Sequence, residues 1–72
     1  MQLAEIVKNH RKKSGLTQQE LAELAGVGKT VVFDIEHGKN TVQLLTLQKI
    51  LHTLNIKLLC TSPLLVEPAE VF

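Results

Sequence analysis

The sequence predicts an all-α bundle of four to five short helices followed by one C-terminal β-strand. Three observations predict it. Four segments carry apolar residues at the three- and four-residue spacing of a helix face. Hydrophobic residues make up 44% of the chain, yet only Phe33 and Phe72 are aromatic, so the core must be built from Leu, Val, Ile and Ala, a composition that favours packed helices. The apolar run at residues 56–61 is too short for a further helix and alternates only in part, which fits a strand. At 72 residues the chain holds one domain, with too little volume for a cleft between two lobes, and an enzyme is not expected.

In residues 2–13, Leu3, Ile6, Val7 and His10 follow the i, i+3, i+4, i+7 pattern, with Lys8, Arg11 and Lys12 on other faces, until Ser14 and Gly15 end the helix. Thr17 followed three residues later by Glu20 is a capping box, so a second helix starts there, carries Leu21, Ala22, Leu24 and Ala25, and stops at Gly26. After Val27 and Gly28 a third short helix runs from Lys29 to Glu36 with Val32 and Ile35 facing inward, and His37, Gly38, Lys39 and Asn40 break it. Residues 41–54 place Leu44, Leu47, Ile50, Leu51 and Leu54 on one stripe, giving a fourth helix that Asn55 stops. The strand candidate is Ile56, Lys57, Leu58, Leu59 and Cys60, running into Thr61. A lone strand cannot satisfy its own backbone, so the expected partner is the same strand of a second subunit. Residues 62–72, with Pro63, Pro68 and no periodicity, read as a flexible tail after a folded domain of residues 1–61.

Eight basic and seven acidic residues leave a net charge of +1, which excludes the long-range pull of a strongly basic nucleic-acid binder but allows a local basic face. Residues 62–72 hold Glu67, Glu70 and no basic residue, so the body carries eight basic against five acidic residues, or +3. Cys60 is the single cysteine and excludes an intramolecular disulfide or a Cys-rich zinc site. The N-terminal residues mix charged and apolar side chains as no signal peptide does, and no apolar run approaches the roughly 20 residues of a membrane span, so a cytoplasmic location is expected. A core this small supplies only about 3–5 kcal/mol, which makes an oligomer or a partner a source of further stability.

The informative feature is the pair of short helices at 17–25 and 28–36, joined by a tight glycine-containing turn. Such a pair braces one helix against a DNA backbone while the next presents its N-terminal side chains to base edges in the major groove. The plain alternative is an ordinary helical hairpin in a small bundle.

The stretch LTQQELAELAGVGKTVVFDIEHGK, followed by TLQKILHTLNI, resembles the Xre/Cro-type helix-turn-helix of lambda-like repressors over residues 3–55. The strand after the last helix and the short acidic tail make it similar, more narrowly, to the HipB-like antitoxins that pair with HipA-type serine/threonine kinases. The resemblance implies a lambda-repressor-like fold, a homodimer, and autoregulatory repression at an inverted-repeat operator, with no cofactor or metal. A stand-alone phage-type or metabolic repressor without a toxin is the other reading.

By the same resemblance Gln18 contacts phosphate at the start of the second helix, and Gln19 reaches the groove. The base-facing positions are Gly28, Lys29, Thr30, Phe33 and Asp34. Lys29 can donate to guanine, and Thr30 can use its hydroxyl or offer its methyl to thymine. Gly28 departs from the family, which often has a contacting side chain there. Phe33 either packs on a thymine methyl or sugar, or covers the edge of the core. Arg11 and Glu36 resemble the family's ion pair, with the guanidinium also lent to a phosphate; Lys39 and Asn40 lie in its phosphate-contacting loop. The apolar tail segment Leu64, Leu65 and Val66, on to Phe72, is the feature that would serve a protein partner.

No catalytic constellation accompanies these residues. His10, His37 and His52 lie on separate elements without metal-ligand spacing, and neither Ser14 nor Cys60 has an evident base. Gly26, Val27, Gly28, Lys29 and Thr30 end like a phosphate-binding loop, but the required first glycine is replaced by helical residues, so nucleotide binding is not expected.

Overall fold

In the computed structural model, which describes residues 2–39 and 41–72, the first helix α1 spans Leu3–Lys13. It buries Val7 and Arg11 and rests Leu3 on the core, so its inward stripe runs i, i+4, i+8. His10, expected on that stripe, is instead exposed, and its Nδ1 lies 2.7 Å from the Ile6 carbonyl, to which the ring N–H donates. Arg11 takes the inward position because a carboxylate waits for it there.

The second helix, α2, spans Gln18–Ala25 and opens with a complete capping box. The Glu20 amide donates to Thr17 Oγ1 at 3.1 Å, and the Thr17 amide donates back to Glu20 Oε1 at 2.9 Å. Its end is closed by Gly26 at φ 73°, a left-handed conformation that a side chain strains, with the Val27 amide donating to the Ala22 carbonyl at 2.9 Å. The third helix, α3, spans Lys29–Glu36, and the fourth, α4, spans Leu44–Thr53. The expected start of α4 at residue 41 is corrected: Gln43 is extended and caps the helix, and Leu44, placed on the inward stripe by spacing, is 59% exposed. Asn55 stops α4 in the left-handed region at φ 57°, while Ile56 donates back to the Leu51 carbonyl at 2.8 Å.

Val7, Leu21, Ala22, Val32, Ile35, Leu47, Ile50, Leu51 and Leu54 form one buried cluster, drawn from all four helices. Each fully buried aliphatic side chain contributes about 1.5–3 kcal/mol. Helices α2 and α3 pack on each other, α1 packs on α3, and α2 packs on α4. No helix among the described residues is long and apolar enough to cross a membrane.

The strand predicted at 56–61 is shorter, β1 at Leu59–Cys60, and its partner is found within the chain. A second strand, β2 at Ala69–Glu70, pairs with it antiparallel, Leu59 opposite Glu70 and Cys60 opposite Ala69. The expectation of a lone strand completed by another subunit is corrected accordingly. Two residues are too few to show a period of two, which is why β2 escaped the sequence reading. The segment read as a flexible tail thus returns to the body. Val71 donates to the Leu58 carbonyl at 2.9 Å, and Phe72 packs against the core and meets His52 edge-on, with ring centroids 6.2 Å apart.

Candidate nucleic-acid interface

The left-handed turn at Gly26 is followed by extended Gly28, which places the start of α3 beside the start of α2. Burial then fixes the rotation of α3. Val32 and Ile35 point into the core, so Lys29, Thr30, Phe33 and His37 form the opposite, exposed stripe, with Asp34 at its flank. Gly28 caps α3 without a side chain, and a Cβ built there meets no atom within 4 Å. The start of α3 is therefore open to close approach at Gly28, while the Val31 amide donates to the Gly28 carbonyl at 3.1 Å.

An open depression lined by Arg11, Gly15, Leu16, Thr17, Gln18, Gln19 and Lys29 joins the N-terminal ends of α2 and α3. First-turn amides have no partner within a helix, and the capping box occupies only that of Glu20, so Gln18 and Gln19, which line this depression, keep amides without a helical partner at the positive end of the helix dipole. It is suited to an anionic oxygen. The Gln19 side chain lies along the helix surface, its Nε2 donating to Glu23 Oε1 at 3.3 Å.

Arg11 and Glu36 form the frame behind this surface. Arg11 Nε donates to Glu36 Oε2 at 2.6 Å and its second terminal nitrogen to Glu36 Oε1 at 3.0 Å, a two-pronged pair. The remaining terminal nitrogen donates to the Leu16 carbonyl at 2.8 Å, which ties α1 to the turn before α2. Gln18 Nε2 also donates to Glu36 Oε1, at 3.2 Å, so Glu36 gathers α1, α2 and α3 on one carboxylate. The side chains of Arg11 and Glu36 are 10% and 1% exposed. Burial works against ionisation of Glu36, but hydrogen bonds from Arg11 and Gln18 and the charges of Arg11 and Lys8 outweigh it and hold the carboxyl below its ordinary range. The hydrogen bond to Glu36 raises the Arg11 guanidinium against the opposing effect of burial.

At the other end of α3, Lys39 Nζ lies 3.2 Å from Asp34 Oδ2, so these two predicted site residues neutralise each other in an exposed pair. Asn40, the other loop residue expected at phosphate, lies outside the described residues. Phe33 is 47% exposed and stacks on His37, with ring centroids 3.9 Å apart and 24° between the planes. Sequence reasoning missed His37 as part of this surface. The signal was available, since it follows Phe33 by four residues, but the sequence reading weighs it only as a helix breaker and as a histidine without metal-ligand spacing. It also missed Gln18 as a partner of Glu36, because a contact across 18 positions leaves no local pattern. Far from this face, Lys57 Nζ lies 3.4 Å from Glu70 Oε1, and Leu59 and Cys60 are exposed on the hairpin. Among the described residues no three His, Cys, Asp or Glu side chains gather as a metal site would require.

The helix-turn-helix (HTH_3) family model matches residues 7–59, which take in all four helices except the first turn of α1. The chain belongs to this family. Within it, an HTH-type transcriptional regulator of Sinorhizobium fredii is 38% identical over 58 residues, covering 81% of this chain and 76% of the relative. One from Methanothermobacter thermautotrophicus is 37% identical over 49 residues, covering 68% and 71%. Among solved structures, a chain of the HipA–HipB–O2–O3 complex superposes with a TM-score of 0.73 at 30% identity, covering 85% of this helix-turn-helix protein and 86% of that chain. The biofilm regulator SinR in complex with DNA gives 0.69 at 30% identity, covering 76% and 89%. The architecture of four helices with a small antiparallel sheet is that of the lambda-repressor-like fold.

Proposed function

We propose that this helix-turn-helix protein is a sequence-specific transcriptional repressor that acts as the antitoxin of a HipA-like kinase and regulates its own operon. The observation that carries DNA binding is the joint exposure of the α2 and α3 N-termini around one depression, with Lys29 at its border. Lys29 and Thr30 read base edges, with Gln19, Phe33 and Asp34 beside them and Gly28 letting the backbone approach. The α2 N-terminus at Gln18 and the N–H groups of Arg11 not engaged with Glu36 and Leu16 hold the backbone, and Lys39 and Asn40 contact phosphate from the loop after α3. Two copies bind an inverted repeat with half-sites about one helical turn apart. Dimerisation no longer follows from an unpaired strand. Its support is the hairpin, where Leu59, Leu64, Leu65, Val66 and Val71 stand exposed.

The antitoxin assignment draws support from the match to the HipA–HipB–O2–O3 complex, which covers 85% of the chain against 76% for SinR. A stand-alone repressor is the second reading, favoured by the likeness to SinR in complex with DNA at 30% identity. Purification of a tagged copy from its native host at native expression, followed by mass spectrometry, separates the two. Near-stoichiometric recovery of a HipA-like kinase supports the antitoxin, and recovery of DNA with no protein partner supports the stand-alone repressor. Deleting residues 62–72 is then expected to abolish kinase binding and, because it also removes β2, Phe72 and the exposed Leu64, Leu65, Val66 and Val71 offered for the dimer, to weaken operator binding. Unchanged kinase binding would remove the tail from the partner surface.

A further inference from the structure

The reading above sets Phe33 among the base-facing residues but gives no part to His37 at the end of α3, and we infer that the stacked pair is a base-specificity device in which His37 is a positioning residue that holds Phe33 against a thymine methyl group. The inference rests on the DNA-binding reading. Phe33 is 47% exposed, so about half of its surface is free to meet a ligand. Its ring is supported by a polar one. The His37 imidazole stacks on it with centroids 3.9 Å apart, and His37 Nδ1 lies 2.7 Å from the Phe33 carbonyl. A carbonyl only accepts, so Nδ1 carries the proton and the imidazole is tied to the backbone of the residue on which it stacks. The His37 backbone is equally fixed, its amide donating to the Phe33 carbonyl at 3.1 Å and the Asp34 carbonyl at 3.2 Å. Phe33 thus has one face occupied, which removes side-chain freedom before any ligand arrives.

Position supplies the ligand. Lys29, Phe33 and His37 follow one another at four-residue spacing on the exposed stripe of α3, continuous with the residues at the helix start that face the groove. The thymine C5-methyl is the apolar group that the major groove offers among its donors and acceptors, and a pre-ordered aromatic ring suits it at low entropic cost. The neighbouring carboxylate of Asp34 is paired with Lys39, so the ring is not flanked by an uncompensated negative charge.

The 72-residue chain is used to select a duplex from a random pool of about 26 base pairs, long enough for two half-sites one helical turn apart. Each thymine is then replaced singly by deoxyuridine, which removes only the methyl group. The wild type is expected to lose about fourfold in affinity at one thymine per half-site, the worth of one buried methyl. Phe33→Ala should bind both duplexes equally. His37→Asn keeps a polar residue at the helix end but lacks a ring and should fall below twofold discrimination, while His37→Phe retains a stacking ring and should restore it. Wild-type indifference to uracil at every position, or full discrimination by His37→Asn, overturns the inference and leaves DNA binding intact. Failure of the wild type to select any duplex overturns both.

Discussion

Replacing Glu36 with Gln tests whether the fold and the interface share one frame. The substitution keeps the shape but removes the charge that accepts two hydrogen bonds from Arg11 and one from Gln18. Arg11, 10% exposed, is then left with a buried guanidinium whose remaining full partner is the Leu16 carbonyl. Removing one member of a buried pair costs about 3–5 kcal/mol, and because the Gln oxygen still accepts one bond the low end, about 3 kcal/mol, is expected. In a domain of this size that lowers the Tm by about 12–24 °C. Urea unfolding with an unchanged slope is the assay. The pH dependence carries the sign. The Glu36 carboxyl titrates lower in the folded chain than unfolded, so its contribution is complete above the ordinary carboxylate range and is lost as pH falls through the folded value. The difference between wild type and Glu36→Gln should therefore shrink on acidification. If the variant unfolds outright, the double variant Arg11→Met, Glu36→Leu restores stability, since replacing both partners with apolar residues removes the stranded charge. A loss below about 1 kcal/mol, the worth of an exposed pair, would refute the reasoning.

Lys29→Ala should lower operator affinity and relax base preference, whereas Lys39→Ala should weaken all duplexes about equally; equal loss on operator and random DNA for Lys29→Ala would remove its reading role. Asp34→Asn frees Lys39 from its 3.2 Å pair and should raise affinity for operator and random duplexes alike, steepening the salt slope by about one per protomer. Thr17→Ala removes the acceptor of the Glu20 amide and should cost about 1 kcal/mol by urea titration. Hydrogen bonds from Thr17 also hold the Glu20 carboxyl below its ordinary range, so the capping box is complete at neutral pH and weakens as acid protonates Glu20.

The helix boundaries were legible wherever termination chemistry is local. Thr17 with Glu20, Gly26 and Asn55 each act within a few residues, and each lies where the pattern put it. Rotation about a helix was less secure. His10 and Arg11 are adjacent, and hydrophobicity favours His10 inside, but a partner 25 positions away reverses the choice. Leu44 illustrates the opposite failure: it continues the apolar stripe of α4, yet the first turn stands clear of the core with Leu45 beside it. The hairpin was illegible because two-residue strands have no period, and Phe72 earns its place by packing rather than by pattern.

A net charge of +1 is compatible with a DNA-facing surface because the acids near α3 are engaged within the protein. Glu36 is paired with Arg11 and Asp34 with Lys39, while Glu20 is held by its own helix cap and Glu23 accepts from the Gln19 side-chain amide. Glu67 and Glu70 belong to the C-terminal segment, where Glu70 faces Lys57 instead. Lys12, Lys13 and Lys29 are exposed, and the two helix N-termini add partial positive charge that no count of residues records. Such a surface has few full charges to offer phosphate. On the proposed reading its discrimination comes from the placement of α3, and that placement depends on one carboxylate, Glu36, shared by α1 and α2. Interface geometry and fold stability are therefore coupled through the same residue, so a substitution of Glu36 alone alters both.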